Sequence, residues 1–201
     1  MENPLSRAGF VLAGGRSSRM GRDKALLEAD GQSLLNRVAQ AVREAAGTVA
    51  LIGDPGKYGR LGYPVYPDVF TGCGPLAGIH AALRVTGAEW NIVTACDMPD
   101  LTTEFLSHLL EVAEKSGCDC LLPAGESGRP EPLCAVYRRH SLERIKRALE
   151  NGTRKILDGL EGLHVEIVRV SGTEPFRNIN TPEDWADYRR VQTDKTQDNR
   201  E

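Results

Sequence analysis

The chain has 201 residues, with 25 Lys and Arg residues against 28 Asp and Glu residues, and a net charge of −3 at pH 7. Its 40% hydrophobic and 26% charged residues exclude a mainly disordered protein, and the length suits a single domain. The acidic balance argues against a nucleic-acid binder, and no apolar run approaches the roughly 20 residues that a membrane-spanning helix needs.

The N-terminal residues and the cysteines indicate a cytoplasmic protein. Residues 1–7 lack a basic segment followed by an apolar run, so we expect no secretory signal. The five cysteines are odd in number and none forms a C-x-x-C pair, which favours reduced, buried thiols. The four histidines are scattered and predict no zinc site.

Short apolar runs alternate with stretches of helical periodicity in the first half of the chain. Buried strands are predicted over residues 9–13, 48–52, 65–66 and 90–95. Helices are predicted from the Ser33 cap to Gly47 and over residues 76–85, with Pro75 near the first turn of the second.

The same alternation continues in the second half. Strands are predicted over residues 118–122, 132–137 and 163–170, the last at a sheet edge. Helices are predicted over residues 102–115, 142–150 and 154–160, with Ser141 as the cap of the second. A last helix begins at Thr181, with Pro182 at its first position and Asp184 three residues after the cap.

This alternation predicts an α/β fold with a mostly parallel central sheet flanked by helices and a small antiparallel portion. Ligands of such sheets bind beyond the carboxyl ends of the strands. No repeat or long linker divides the chain, so we expect one domain over residues 1–191 and a disordered polar tail over residues 192–201.

A glycine-rich basic loop follows the first predicted strand and suits a polyphosphate. Gly14 and Gly15 let the backbone approach an anion, and positive charge comes from Arg16, Arg19, Arg22 and Lys24. The loop fits neither the G-x-x-x-x-G-K-[ST] nor the G-x-G-x-x-G spacing. On the residues alone, a mobile basic loop without function remains an alternative.

Sequence motifs give this loop a family. The pattern L-A-G-G-x-S-x-R-M-G-x-D-K at residues 12–24 resembles the signature of sugar- and cofactor-nucleotidyltransferases. Further motifs follow in the order of the molybdenum cofactor guanylyltransferases, the MobA family, which the chain resembles over about residues 8–190. They are Y-P-D at 66–68, G-P-L-A-G at 74–78, C-D-M-P at 96–99 and N-I-N-T-P-E-D at 178–184.

The resemblance implies a Rossmann-like nucleotidyltransferase fold and a reaction. GTP and molybdopterin, usually carrying molybdenum, would give the guanine dinucleotide cofactor and pyrophosphate, with Mg²⁺ required. The terminal phosphate of the pterin would attack the α-phosphate of GTP. Other cofactor-biosynthesis proteins or molybdoenzyme chaperones are the further partners that it implies, with no nucleic acid and no membrane.

The resemblance also implies site residues. Lys24, Asp97 and Arg19 would be the catalytic residues; Lys24 would act on the phosphates of GTP, with Arg19 and Arg16 as weaker helpers. The nucleotide would further contact Leu12, Ala13, Gly14, Gly15, Asp68, Gly78 and Asp97, including backbone N–H groups of the loop. The acceptor would contact Asn180, Asn178 and Arg129.

The carboxylates leave alternatives open. Asp97 directly follows a predicted strand, where it either holds Mg²⁺ or caps a helix, and the resemblance favours the metal. Asp68 either accepts hydrogen bonds from the adjacent donors of guanine, contacts the ribose, or serves only as a turn residue. Asn180 has a turn role as its alternative, and Asp100 is predicted to be structural.

One position departs from the family, and the function has rivals. Residues 52–54 read Ile-Gly-Asp where the family often has a nucleotide-binding asparagine, so a backbone group or Asp54 replaces that contact, or it is absent. The rivals are a molybdopterin cytidylyltransferase, a sugar-phosphate guanylyltransferase and a non-catalytic molybdopterin escort. The G-P-L-A-G motif favours GTP, and Lys24 together with Asp97 argues against an escort.

Overall fold

A central sheet organises the computed structural model, which describes residues 6–14, 23–171 and 176–198. Its strands are β1 (Arg7–Leu12), β4 (Ala50–Ile52), β5 (Val65–Tyr66), β6 (Trp90–Ala95), β7 (Cys120–Ala124), β8 (Cys134–Arg138) and β9 (Val165–Arg169). A separate antiparallel hairpin, which the sequence did not predict, consists of β2 (Glu28–Ala29) and β3 (Gln32–Ser33).

Helices connect most of these strands. They are α1 (Leu34–Ala46), α2 (Pro55–Tyr58), α3 (Pro75–Val85), α4 (Thr103–Ser116), α5 (Leu142–Glu150), α6 (Ile156–Gly159) and α7 (Pro182–Asp198). Short 3₁₀ turns cover Lys24–Leu26, Gly59–Leu61 and Arg139–Ser141. None of the helices within the described residues combines the length and apolar composition needed to cross a membrane.

The strand order places a crevice at the centre of the sheet. The order is β5-β4-β1-β6-β8-β7-β9, and β8 runs antiparallel to both of its neighbours while the other pairs are parallel. The chain moves outward from β1 to β4 and β5, then returns to β6 on the other side of β1. Such a reversal opens a ligand crevice beyond the carboxyl ends of the strands. The predicted mostly parallel α/β fold is therefore confirmed.

Both faces of the sheet are buried, which explains the continuous apolar runs in its strands. Successive residues point to opposite faces, so Val11 packs in the cluster on the α1 and α4 side, whereas Phe10 and Leu12 pack in the cluster on the α3 and α5 side. Ile92 and Val93 divide in the same way. The core thus fixes β1 and β6 side by side, and with them the residues that follow.

Most predicted helix ends are confirmed by their caps. The Ser33 hydroxyl accepts a hydrogen bond from Asn36 N–H at 3.2 Å, and α1 ends at Gly47, whose φ of 78° favours glycine. At α7, the Thr181 hydroxyl accepts from Asp184 N–H at 3.1 Å, while the Asp184 carboxylate accepts from Thr181 N–H at 2.8 Å. This reciprocal pair is the predicted capping box with Asp at its third position.

Two predictions about helix ends are wrong. Ser141 does not cap α5, because its hydroxyl donates to the Asp119 carbonyl oxygen at 3.2 Å and the helix is entered through a 3₁₀ turn. The last helix also continues to Asp198, past residue 192, where we expected a disordered tail to begin. Residues 192–198 contain neither proline nor glycine, so no residue there ends the helix.

Candidate active site

A cavity of about 1130 Å³ lies beyond the carboxyl ends of β1, β4 and β6. It opens at the crevice that the strand order creates, and residues from distant parts of the sequence meet in it. Those of the predicted set that line it are Leu12, Gly14, Lys24, Asp68, Gly78, Asp97, Arg129, Asn178 and Asn180. The structure therefore brings together most of the described residues that the motifs singled out.

Asp97 lies at the centre of this cavity, directly after β6. The residue is only 8% exposed, and its Oδ2 forms an ion pair with Lys24. Its other oxygen, Oδ1, is buried and has no hydrogen-bond partner among the described residues. Thr102 rather than Asp97 caps α4, which removes the helix-cap alternative.

A buried carboxylate oxygen without a donor suits a divalent cation. Mg²⁺ takes oxygen ligands and is commonly held by one or two carboxylates together with substrate phosphates. Asp97 Oδ1 fits that chemistry, and the amide oxygen of Asn180 lies in the same cluster. Within residues 6–14, 23–171 and 176–198 no group of three or more His, Cys, Asp or Glu side chains is placed to hold a metal ion.

Lys24 connects the two oxygen-bearing side chains. Its ammonium group donates to Asp97 Oδ2 and, at 3.2 Å, to Asn180 Oδ1. The lysine belongs to a short 3₁₀ turn that begins after Asp23, whose carboxylate accepts a hydrogen bond from Ala25 N–H at 3.1 Å. The positive group of the motif therefore lies beside the carboxylate, at the end of the sheet.

The residue before Lys24 is held by α2, a contact that the sequence did not reveal. Asp23 Oδ2 accepts a hydrogen bond from the Tyr58 hydroxyl at 2.8 Å and forms an ion pair with the Lys57 ammonium at 2.6 Å. Burial acts to raise the pKa of Asp23, but these two partners together with Ala25 N–H outweigh it, and the pKa is lowered. Burial, followed by the bond to Asp23, raises the pKa of the Tyr58 hydroxyl.

Asp68 lies after β5, on one side of the cavity, and combines two roles. Its Oδ1 accepts a hydrogen bond from Phe70 N–H at 2.8 Å, which is the turn role foreseen as an alternative. The half-buried side chain also lines the cavity. Burial raises the pKa of its carboxyl group, against the opposing effects of Phe70 N–H and His80.

The segment with the two asparagines is fixed to the same centre through its backbone. Ile179 N–H donates to the carbonyl oxygen of Asp97 at 2.9 Å, and the Ile179 side chain is buried against Leu34 and Tyr188. Asn180 N–H donates to Asp184 Oδ2 at 2.9 Å. Asn180 therefore both takes part in the turn before α7 and lines the cavity.

The structure describes only part of the first loop. Ala13 N–H donates to the Ile52 carbonyl oxygen at 2.8 Å and completes the contact of β1 with β4, so this N–H is already paired, and the contact of Ala13 with the nucleotide stays a prediction. Gly14 lines the cavity, and among the described residues no atom outside its chain neighbours lies within 4 Å of the position a Cβ would take. Gly15, Arg16, Arg19 and Arg22 lie outside the described residues.

Two further predicted positions have packing roles. A Cβ on Gly78 would lie 3.1 Å from the Leu12 side chain, so this glycine lets α3 approach β1. Asp54 caps α2 by accepting from Gly56 N–H at 2.8 Å and is exposed, whereas Ile52 and Gly53 line the cavity. The backbone after β4 therefore faces the site where the family often has an asparagine.

Glu131 also lines the cavity, and sequence reasoning missed it. It lies two residues after Arg129 and just before β8, and its side chain is half-buried. The signal available was an acidic residue directly before a predicted strand, a weaker one than for Asp97 and Asp68, which follow strands and lie in family motifs. Asp100, by contrast, forms an ion pair with Arg177 at 2.7 Å, as expected of a structural residue.

The thiols are free, as predicted. Cys73 is half-exposed and Cys96, Cys118, Cys120 and Cys134 are buried. Burial, followed by the charge of Asp97, raises the pKa of Cys96 to about 12. Although Cys96 lines the cavity next to Asp97, this environment disfavours the thiolate, the form in which a cysteine acts as a nucleophile.

Comparison with known proteins shows the family to which the chain belongs. Residues 9–165 match the profile of the MobA-like NTP transferase domain. The chain is 36% identical to a "probable molybdenum cofactor guanylyltransferase" of Pelotomaculum thermopropionicum, covering 92% of this chain and 93% of that protein. It is 33% identical to the molybdenum cofactor guanylyltransferase of Yersinia pestis, covering 92% of this chain and 97% of that protein.

A solved structure agrees with these sequence matches. The molybdopterin-guanine dinucleotide biosynthesis protein A of Archaeoglobus fulgidus is 32% identical and superimposes with a TM-score of 0.79, over 93% of this chain and 99% of that one. The similarity therefore covers the strands that build the cavity as well as the motifs that line it.

Proposed function

The chain belongs to the family of MobA-like NTP transferase domains, and we propose that it transfers GMP from GTP to the terminal phosphate of molybdopterin. The products are the guanine dinucleotide form of the cofactor and pyrophosphate. One observation carries the proposal: in a chain whose relatives are named guanylyltransferases, a buried carboxylate with one unpartnered oxygen lies beside a lysine and an asparagine at the carboxyl end of the sheet.

The reaction asks the protein mainly to align two anions. The terminal phosphate of molybdopterin forms a bond to the α-phosphorus of GTP while the bond to the leaving pyrophosphate breaks. Positioning and electrostatic stabilisation supply most of the catalysis in such transfers. Lys24 is the described cation nearest Asp97, and it neutralises charge on the GTP phosphates when it leaves its ion pair.

Asp97, with Asn180, would hold Mg²⁺ in this reaction. The bound ion would supply charge neutralisation on the phosphates, which is its usual contribution to phosphoryl and nucleotidyl transfer. The chain's own groups do the rest. Ile179 N–H fixes the Asp97 backbone, and Asp184 fixes Asn180, so the two oxygen-bearing side chains keep their spacing.

The two ends of the cavity divide between the substrates. Gly14, Gly74 and Asp68 lie on the side of β1, α3 and β5, which we assign to GTP. Gly74 has a φ of 75°, and its place before α3 opens the cavity at a helix N-terminus, a position that favours anions. Arg129 and Asn178 lie on the side of β8 and α7, which we assign to the acceptor.

A turnover assay tests the proposal directly. Purified protein is incubated with Mg²⁺, molybdopterin and GTP, CTP or ATP in separate reactions, and pyrophosphate and the mass of the pterin product are measured. We expect transfer with GTP alone. Asp97→Asn should lower the rate by about a hundredfold or more, because the charge that holds the cation is lost.

A matched control accompanies that variant. Asp187→Asn makes the same chemical change on the exposed surface of α7, outside the cavity, and should leave the rate unchanged. If the protein transferred CMP from CTP instead of GMP from GTP, the proposed cation site would stand, but the proposed nucleotide would be wrong. Tight pterin binding without any transfer would identify a non-catalytic escort and refute the proposed function.

A further inference from the structure

The backbone of Glu131 is held on both sides, on the loop between β7 and β8. Its N–H donates to the Pro123 carbonyl oxygen at 2.8 Å, and its own carbonyl oxygen accepts from Cys134 N–H at 3.2 Å. The half-buried side chain lines the cavity. The carboxylate is therefore presented from a fixed backbone, not from a free loop tip.

Glu131 and Asp68 lie on opposite sides of Asp97. β8 pairs antiparallel with β6, and Ala95 N–H donates to the Leu133 carbonyl oxygen at 2.8 Å, so the residues before β8 lie beside the carboxyl end of β6. Asp68 follows β5, which lies beyond β4 and β1 on the other side of β6. Two carboxylates therefore flank the central one.

The two substrates of the proposed reaction require the same recognition chemistry. Guanine presents a ring N–H and an exocyclic amine side by side, next to a carbonyl oxygen. The 2-amino-4-oxo ring of a pterin presents the same three groups in the same order. An ionised carboxylate has two acceptor oxygens and no donor, so it pairs with two adjacent donors through charge-assisted hydrogen bonds.

A protein that binds both rings at once needs one such carboxylate for each. The cavity of about 1130 Å³ is larger than the roughly 300–1,000 Å³ of a usual small-molecule pocket, which gives room for two ligands. Its two flanking carboxylates are Asp68 on the nucleotide side and Glu131 on the acceptor side, next to Arg129.

We propose that Glu131 accepts hydrogen bonds from the ring N–H and the 2-amino group of the acceptor's pterin, while Asp68 serves the equivalent edge of guanine. The inference rests on the proposed function, because it names the residue that selects the acceptor of that reaction. Glu131 is then a specificity-determining residue for 2-amino-4-oxo pteridines.

The surroundings of Glu131 disfavour the charged form of its side chain. Burial raises the pKa of Glu131; Leu133 N–H and Arg129 oppose the rise, and Asp97 adds to it. When the pKa of a carboxyl group is higher in the folded than in the unfolded state, the fold loses stability as the pH rises from the unfolded-state pKa through the folded-state pKa. Without its ligand, the ionised Glu131 therefore costs stability at neutral pH.

Two pairs of ligands, each differing in the 2-amino group, test which carboxylate recognises which ring. The first pair is 6-hydroxymethylpterin phosphate and its lumazine counterpart, in which a carbonyl oxygen replaces the 2-amino group. The second pair is GTP and ITP, which lacks the 2-amino group of guanine. Equilibrium binding of each is measured for the wild type, Glu131→Gln and Asp68→Asn.

We expect each variant to lose one preference and keep the other. The wild type should bind the pterin about tenfold or more tightly than the lumazine, since one charge-assisted hydrogen bond is lost. In Glu131→Gln the ratio of the pterin and lumazine affinities should fall to near one, while the ratio of the GTP and ITP affinities should stay as in the wild type. Asp68→Asn should show the reverse. Ligand-free Glu131→Gln should also melt at a higher temperature than the wild type at pH 7, with the difference vanishing below pH ~4.

Three results would overturn the inference. The wild type could fail to prefer the pterin, Glu131→Gln could lose its preference for GTP over ITP, or it could bind Mn²⁺ more weakly, which would make Glu131 a metal ligand. The turnover of wild-type protein with GTP and molybdopterin, measured on the same preparation, separates these outcomes from a failure of the proposed function. Normal turnover with an unchanged pterin ratio would refute the role of Glu131 alone.

Discussion

Tyr58→Phe removes a single hydrogen bond from the buried cluster that precedes Lys24. The lost bond runs from the Tyr58 hydroxyl to Asp23 Oδ2 over 2.8 Å, and Tyr58 is only 3% exposed. A hydrogen bond to a charged group contributes about 1.5–3 kcal/mol. Asp23 keeps the ammonium of Lys57, whose side chain is 45% exposed, and Ala25 N–H. We therefore expect the free energy of unfolding to fall by about 1.5–2 kcal/mol, the lower part of that range.

The effect should extend to GTP, because Asp23 caps the turn that carries Lys24. A loosened turn leaves the ammonium less well positioned, and we expect the affinity for GTP to fall roughly three- to tenfold. The pKa of Asp23 is lowered in the fold, so its stabilising contribution is present above the unfolded pKa of about 3.9 and is lost as the pH falls through the folded value. The difference between variant and wild type should therefore persist at pH 7 and pH 5.

Urea unfolding and calorimetric titration with GTP measure the two effects. Tyr63→Phe is the matched control, since Tyr63 packs against the same core and no hydrogen bond of its hydroxyl is found within the described part of the chain. It should change neither quantity. The reasoning would be refuted if Tyr58→Phe left GTP affinity intact despite the loss of stability, because the cluster would then be purely structural.

Further predictions concern glycines, the site lysine and the thiols. Gly9→Ala should lower the free energy of unfolding by about 1–3 kcal/mol in urea titrations, because its Cβ would overlap a valine methyl group of α1 and lie 2.7 Å from a backbone carbonyl oxygen. Gly14→Ala should leave the free energy of unfolding within about 0.5 kcal/mol, since no described atom outside its chain neighbours lies within 4 Å of the new Cβ, yet weaken GTP binding in calorimetric titration. Lys24→Met should bind Mn²⁺ alone more tightly than the wild type by electron paramagnetic resonance, while its affinity for GTP falls. At pH 8, iodoacetamide should modify the half-exposed Cys73 before Cys96, as mass spectrometry would show.

The fold was predictable where short-range patterns decide it. Ser33 and Gly47 bound α1 because capping and left-handed backbone need only the local residues. The alternation of strands and helices gave the parallel sheet for the same reason. Ser141 failed as a cap because a distant carbonyl oxygen, that of Asp119, takes its hydroxyl, and no local pattern reports such a partner.

The site divides in the same way between local and long-range information. Asp97 and Asp68 were found because each lies in a motif of the family and two residues after a strand, and strands that run parallel deliver their ends to one edge. Glu131 was missed because it precedes a strand, and only the antiparallel direction of β8 brings it to that edge. The hydrogen bond of Tyr58 to Asp23 joins residues 35 positions apart and is set by packing alone.

The ion pair of Lys24 links nucleotide binding to cation binding. Its ammonium contacts Asp97 Oδ2 and Asn180 Oδ1, the oxygens of the two side chains proposed to hold the cation. Asp97 Oδ1 has no partner among the described residues, but a cation bound there would share the charge of Asp97 and the oxygen of Asn180 with the lysine ammonium, so the two positive charges would oppose each other. We expect the phosphates of GTP to draw the lysine away, because they offer more negative charge than one carboxylate, and the cation would then bind without that repulsion. Binding of each should strengthen the other, since the same movement of Lys24 serves both.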